Sequence, residues 1–183
     1  MINLSAWNMR GLNPPLKQDE VRKMVASYRL SLVSLLETKV SFGSRHKLAM
    51  DLWPGWEVFY NYNNQCNGRI WAAWDPTVHT VQVLFSSKQL LHLLVQILDT
   101  QQQFMVSLVY GMNSSQERLP LWEAICSLYQ SSQCLPWVLL GDFNIVRSVS
   151  EKEGGDLSWT SAMEDLNTCC SNAELDDLRF IGH

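Results

Sequence analysis

The same pattern occurs twice in this chain: a strand-like run, a helical run and a second strand-like run. That repeated unit restricts the fold more than any other feature. In the first copy Ile2, Leu4 and Ala6 alternate with Asn3 and Ser5, the mark of a half-buried strand. Val21, Met24, Val25 and Tyr28 then recur at helical spacing, predicting a helix over Lys17–Tyr28, and Leu32–Leu36 reads as a strand ending at Glu37. In the second copy Phe104–Tyr110 is the strand. Leu121, Trp122, Ile125, Leu128 and Tyr129 form a helical face, and Pro136–Leu140 is the next strand, running into Gly141-Asp142-Phe143-Asn144. Strands joined by such a crossover are parallel, so their C-terminal ends share one edge of a sheet. Those ends carry Asn8 and Glu37 in the first copy, and Tyr110 with Asp142 and Asn144 in the second. If two sheets pack face to face, all five residues meet at one rim.

The region between the copies reads as mostly β. A short helix over Arg45–Leu52 precedes strands at Trp56–Tyr60, Arg69–Trp74, Thr80–Phe85 and Leu90–Leu98. The Asn-rich connection ending in Asn67-Gly68 carries a hairpin signal. A loop with Gly154-Gly155 leads to a last helix over Ser161–Ser171, with Met163 and Leu166 as apolar positions. No long linker or short repeat interrupts the 183 residues, which are expected to form one domain, 1–183. Hydrophobic residues at 46% and charged residues at 17% suit a globular core, where most of the eight tryptophans belong.

Charge and cysteine content exclude several classes. A net charge of -4 argues against a general nucleic-acid coat but leaves room for a nuclease, which needs only a local basic rim. The five cysteines form no Cys-x-x-Cys pair and the four histidines are scattered, so neither a zinc site nor a disulfide framework is expected. With no signal peptide, this fits a reducing intracellular compartment. The apolar run Leu90–Leu98 is broken by His92 and Gln96 and is too short for a bilayer, so a soluble protein without membrane contact is expected. His46, His79, His92 and His183 have no partners in sequence, and Glu151-Lys152-Glu153 and Asp176-Asp177 read as solvated surface charge.

The rim residues suit phosphoester chemistry. Glu37 is a hard oxygen ligand for Mg²⁺, which takes only one or two protein carboxylates. Asp142 could orient or deprotonate water, and Asn144 could donate to a phosphate oxygen as charge builds. Asn8 could position a neighbouring group and Tyr110 could donate its hydroxyl. Singly each has an ordinary reading: a strand-end Glu as a solvated loop carboxylate, and Gly-Asp-x-Asn as a turn. Jointly they fit metal-assisted phosphodiester hydrolysis. Competing classes lack their partners: there is no Gly-Asn-His element of a calcineurin-like phosphoesterase, no Gly-x-x-x-x-Gly-Lys and no Gly-x-Ser-x-Gly.

Several segments carry a resemblance: Trp7-Asn8-Met9-Arg10-Gly11-Leu12-Asn13, Leu36-Glu37-Thr38-Lys39, Gly68-Arg69-Ile70-Trp71, Val109-Tyr110-Gly111-Met112-Asn113 and Gly141-Asp142-Phe143-Asn144. In this order the chain resembles the endonuclease/exonuclease/phosphatase superfamily, the fold of DNase I and apurinic endonucleases. It looks most like the endonuclease domain of plant LINE-type non-LTR retrotransposons. The resemblance implies an α+β, four-layer α/β/β/α sandwich that lacks its C-terminal strands. Glu37 would hold Mg²⁺ (or Mn²⁺) with Asn8 beside it; Tyr110 would contact the scissile phosphate, Asp142 activate water and Asn144 stabilise the transition state. It implies a DNA substrate nicked at the target site, a longer polyprotein with reverse transcriptase, and a nuclear place of action.

Two departures accompany the resemblance. Some repair members carry an acid where Arg10 stands. The family's late Asp and Ser-Asp-His element have no counterpart before His183, which is not read as the catalytic histidine. Little or no turnover by the chain alone is therefore expected, together with an unpaired sheet edge prone to aggregation. The alternatives to a nickase are an inactive retroelement remnant and a phosphatase of the same superfamily. Oligomeric state is not legible.

Overall fold

The computed structural model describes residues 2–62, 68–132, 134–152 and 158–178. The chain divides into two compact units, residues 1–110 with 135–142, and residues 111–134 with 143–183. Among the described residues, the first unit holds eight strands and two helices. Its elements run β1 (Leu4–Asn8), α1 (Pro15–Tyr28), β2 (Leu32–Leu36), α2 (Arg45–Leu52), β3 (Glu57–Tyr60), β4 (Ile70–Trp74), β5 (His79–Ser86), β6 (Leu90–Ile97), β7 (Gln103–Tyr110) and β8 (Trp137–Asp142). The sequence-predicted elements are all present, with ends shifted by one or two residues. The proposed hairpin turn at Asn67 lies outside the described residues.

The strands form two four-stranded sheets, ordered β1-β2-β4-β3 and β5-β6-β7-β8. Only β1–β2 and β7–β8 are parallel, and each pair is joined by a connection containing a helix, as the crossover pattern requires. The other pairs are antiparallel.

Side-chain alternation explains why β2 and β4 are buried along their whole lengths. Val33, Leu35, Trp71 and Ala73 point to one face, where they pack with Val21 and Met24 of α1 and Ala49 and Leu52 of α2. Leu32, Leu36, Ile70, Ala72 and Trp74 point to the other face and meet Leu91, Leu93 and Val95 of β6 and Val106 and Leu108 of β7. The first unit is therefore a helix layer over two face-to-face sheets. Trp71 and Trp74 are core residues in it, not surface platforms. Helix α1 starts on Pro15 with its fixed φ and ends where Arg29 turns left-handed, its N–H returning to Val25 and Ala26 carbonyls.

The second unit contains α3 (Ser115–Ser132) and α4 (Ser161–Asn172), with a single 3-10 turn at Val149–Glu151. Leu121, Trp122 and Ile125 of α3, and Met163, Leu166 and Cys169 of α4, are buried. Trp122 stacks on Phe143 with ring centroids 6.4 Å apart, and Cys126 Sγ lies 4.0 Å from Cys169 Sγ. Burial, then the neighbouring Cys126, push the Cys169 thiol pKa up, so this sulfur stays protonated. Two charges expected to be merely solvated have structural partners. Glu151 closes a capping box with Ser148, and exposed Asp177 pairs with Arg147 at 3.1 Å. No described helix is long and apolar enough to cross a membrane.

Candidate active site

The parallel pairs set the site. Register places Asn8 opposite Leu36, the residue before Glu37, and Tyr110 opposite Asp142. Across the sandwich the Asn8 amide nitrogen donates to Asp142 Oδ2 at 2.7 Å, joining residues 134 apart in sequence. The other end of the same amide, Asn8 Oδ1, accepts the Arg10 N–H at 3.1 Å. With both ends engaged, the Asn8 amide has one orientation, and it presents N–H to the carboxylate.

Tyr110 is only 5% exposed. Burial raises its hydroxyl pKa, and so do the carboxylates of Glu37 and Asp142; Arg69 opposes them by charge and by a hydrogen bond. The Arg69 guanidinium lies 5.4 Å from the Tyr110 ring centroid. Tyr110 thus feels two carboxylates and one guanidinium, and it remains a protonated donor at neutral pH. Glu37 Oε1 is 2.9 Å from the ammonium of exposed Lys39, while the Glu37 side chain itself is half-buried.

The backbone beneath Glu37 is unusual. Beyond the ends of β1 and β2 the two segments stay paired through Met9 N to Leu36 O, Gly11 N to Glu37 O and Leu12 N to Thr38 O, at 2.8–3.0 Å. To follow this path Arg10, Glu37 and Lys39 adopt left-handed φ values of 49°, 52° and 53°. Each such non-glycine residue costs about 1–2 kcal/mol. Strain of this kind gathers at functional sites.

Gly141 fixes the fourth corner. It has φ 145°, and a Cβ there would lie 2.8 Å from the Val109 carbonyl carbon and 2.9 Å from its amide nitrogen. Glycine is therefore what lets β8 pair closely with β7 one residue before Asp142.

Arg69 entered the sequence reading as the start of a predicted strand and within a resembling segment, with no role of its own. Its placement depends on Asn61, a buried residue at the end of β3. Asn61 Oδ1 accepts both the Arg69 and Ile70 N–H groups at 2.8 Å, while its amide donates to the Ser87 carbonyl at 3.0 Å. The Glu37 N–H in turn donates to the Arg69 carbonyl at 2.7 Å. One amide side chain thereby fixes the segment that carries Arg69 and is bonded to Glu37. A polar residue ending a predicted strand before an Asn-rich loop gave no sign of this.

Of the five residues expected at the rim, Asn8, Glu37, Tyr110 and Asp142 come together in the first unit. Asn144 belongs to the second unit, has φ 52°, and donates its amide to the Gly111 carbonyl. Its own carbonyl and those of Met112 and Asn113 accept from buried Arg118.

The donor set was tested for a metal. Among the described residues no group of three or more His, Cys, Asp or Glu side chains is placed to hold one. What the rim offers is two carboxylates, Glu37 and Asp142, with amide and phenol oxygens beside them. These are hard donors of the number Mg²⁺ takes from a protein, the rest of its shell being water and phosphate.

Two face-to-face sheets with an amide and acids at their parallel strand ends define a DNase I-like α/β fold. Residues 5–156 match the endonuclease/exonuclease/phosphatase family, and the chain belongs to that family. The AP endonuclease LMAP from Leishmania major is similar in structure, with TM-score 0.66, 13% identity and coverage of 92% of this chain and 65% of that one. The endonuclease domain of TRAS1, a telomere-specific non-LTR retrotransposon, gives 0.65, 10% identity, 92% and 70%. A mannosyl-6-phosphatase of Bacteroides thetaiotaomicron gives 0.60, 13%, 79% and 66%. The chain spans less than two thirds of the length of the Leishmania and Bacteroides proteins. A comparison with curated proteins finds no match.

Proposed function

We propose that this chain is a Mg²⁺-dependent phosphodiesterase domain that nicks DNA. The observation that carries the reading is the 2.7 Å Asn8–Asp142 hydrogen bond beside a Tyr110 set between Glu37, Asp142 and Arg69. The structural similarity to an AP endonuclease and a retrotransposon endonuclease supports DNA as the substrate.

Asn8 holds the Asp142 carboxylate through Oδ2, and Asp142 is the base that takes a proton from the attacking water. Tyr110, kept protonated, donates to a non-bridging phosphate oxygen. Arg69 faces the same ring and offsets the negative charge that grows on that oxygen. Glu37, with Asn8 beside it, is the residue that would hold Mg²⁺. When bound, that ion supplies Lewis-acid polarisation of the phosphate. Asn144 bonds to Gly111 within the second unit, and we assign it no step.

Plasmid nicking with Mg²⁺ tests the proposal. The chain is expected to relax supercoiled DNA at a low rate, in keeping with the little turnover expected from its sequence. Asp142→Asn and Glu37→Gln should each lower the rate by roughly 10²–10⁴-fold, the usual contribution of a positioned acid or base. Absence of nicking, or nicking that survives both changes, refutes it and leaves the inactive-remnant reading. A phosphatase is the second reading, favoured by the match to a mannosyl-6-phosphatase. Release of phosphate from a sugar phosphate, without plasmid nicking, would establish it.

A further inference from the structure

Five residues after Glu37 the first unit presents an aromatic and cationic cluster that the proposed hydrolysis does not use. The Arg45 guanidinium lies 3.4 Å from the Phe42 ring centroid and 5.6 Å from those of Tyr60 and Tyr62, and it donates to the Phe42 carbonyl. Phe42 meets Tyr62 edge to face at 5.9 Å. Tyr62 is itself fixed: its hydroxyl donates to the Val40 carbonyl at 2.6 Å, and its ring lies where a side chain on Gly68 would stand. Despite these contacts Phe42 is 62% exposed. Arg45 lies over the ring and Tyr62 meets it edge to face, and most of the Phe42 surface remains exposed.

Stability does not explain this arrangement. Arg45, His46 and Lys47 occupy the first turn of α2, where the helix dipole disfavours positive charge, and no acidic residue offsets them there. Neither Arg45 nor Lys47 pairs with a carboxylate among the described residues. Between Glu37 and Lys47 there are three basic residues (Lys39, Arg45, Lys47) and one acid, in a chain whose net charge is -4. A locally positive surface that also carries an exposed aromatic side chain suits a ligand that is both anionic and planar. A nucleic-acid strand is both.

We propose that Phe42 and Arg45 form a strand-binding subsite beside the candidate active site, with Arg45 pairing a backbone phosphate and the exposed Phe42 ring stacking on an unpaired base. This rests on the phosphodiesterase reading for its place along the strand. Five residues reach at most about 18 Å, and a strand advances about 3.4 Å per nucleotide, so the stacked base lies within about five nucleotides of the cut. Tyr62 meets the edge of the Phe42 ring, and the absence of a side chain at Gly68 leaves room for the Tyr62 ring.

The test is fluorescence anisotropy of a labelled single-stranded oligonucleotide titrated with the 183-residue chain, EDTA present so that binding is read without cleavage. Phe42→Ala and Phe42→Leu should each weaken binding about tenfold while Phe42→Trp holds it, the size expected for one base–aromatic stack. Arg45→Gln should lower the slope of log affinity against log salt by about 0.7, one phosphate contact on a single strand. The exposure of Phe42 predicts unchanged melting of its variants, checked by circular dichroism. Parent-like affinity in the Phe42 variants, a parent-like salt slope for Arg45→Gln, or no binding by the parent, overturns the subsite. Weakened binding by these variants in a chain that nicks no plasmid keeps the subsite and removes the hydrolysis reading. The reverse pattern keeps hydrolysis and removes the subsite.

Discussion

Replacing Gly141 by alanine should damage the fold and the site together, by amounts the geometry sets. The added methyl would fall 2.8 Å from the Val109 carbonyl carbon and 2.9 Å from its nitrogen, closer than a Cβ can sit against backbone that cannot swing away. Forcing alanine to φ 145° costs about 1–3 kcal/mol. Moving β8 off β7 to make room breaks one or two ladder hydrogen bonds, about 1 kcal/mol each. The total is roughly 2–5 kcal/mol, a large fraction of the about 5–15 kcal/mol that holds a domain together. For a chain of this size each kcal/mol moves the melting temperature by roughly 2–4 °C, so a drop of about 4–20 °C is expected. Thermal unfolding followed by circular dichroism reads it, with Gly43→Ala as the control. No atom lies within 4 Å of a Cβ at Gly43, so that variant should melt like the parent. Because Gly141 precedes Asp142, the folded fraction of Gly141→Ala should also nick more slowly, on the order of 100-fold for a displacement of about 1 Å. A Gly141→Ala chain that melts within about 2 °C of Gly43→Ala would refute the reasoning at its base.

Two further outcomes are expected. His79 and His92 are each 1% exposed, and burial lowers both pKa values, Asp75 opposing it only at His79. The folded chain therefore binds fewer protons than the unfolded one below pH 6.5. Stability present above that pH is lost as pH falls toward the folded values, at up to about 1.4 kcal/mol per pH unit for each histidine. Urea titrations at pH 7.5 and 5.5 should show this loss, and His92→Gln should reduce it; equal midpoints at the two pH values would contradict it. Asn61→Ala should cost about 2–4 kcal/mol, because the Arg69 and Ile70 N–H groups lose a buried acceptor. Asn61→Asp, which keeps the acceptor, should recover part of that loss in the same urea assay.

Local features were readable from the sequence, and long-range ones were not. Leu32–Leu36 and Arg45–Leu52 match their predicted ends because periodicity and flanking residues act locally. Helix α3 is longer than its apolar face suggested. It begins at Ser115 and runs through Pro120, a residue that reads as a breaker but here forfeits one hydrogen bond near the helix start. The sheet order places β4 beside β2, a pairing of residues 70–74 with 32–36 that no local pattern encodes. At the site, the parallel crossovers made the convergence of Asn8, Glu37, Tyr110 and Asp142 readable. The Asn8–Asp142 bond itself, the Arg69–Tyr110 contact and the Asn61 clamp depend on distances between sheets and loops. Likewise, nothing in Arg10, Glu37 or Lys39 as residue types announces left-handed backbone, which the continued pairing of segments 9–12 and 36–38 imposes.

That left-handed trio has a consequence for directed evolution. A selection for heat resistance alone, blind to any substrate, would enrich glycine or asparagine at Arg10, Glu37 and Lys39, since these two residues enter left-handed backbone at lower cost. Winners at position 37 would lose the carboxylate, and winners at 10 and 39 would thin the basic border. Thermal hardening and catalytic competence therefore pull this rim in opposite directions. Arg29, Gln101 and Glu174 share the left-handed backbone away from the rim, so the same selection would gain there without touching the candidate site.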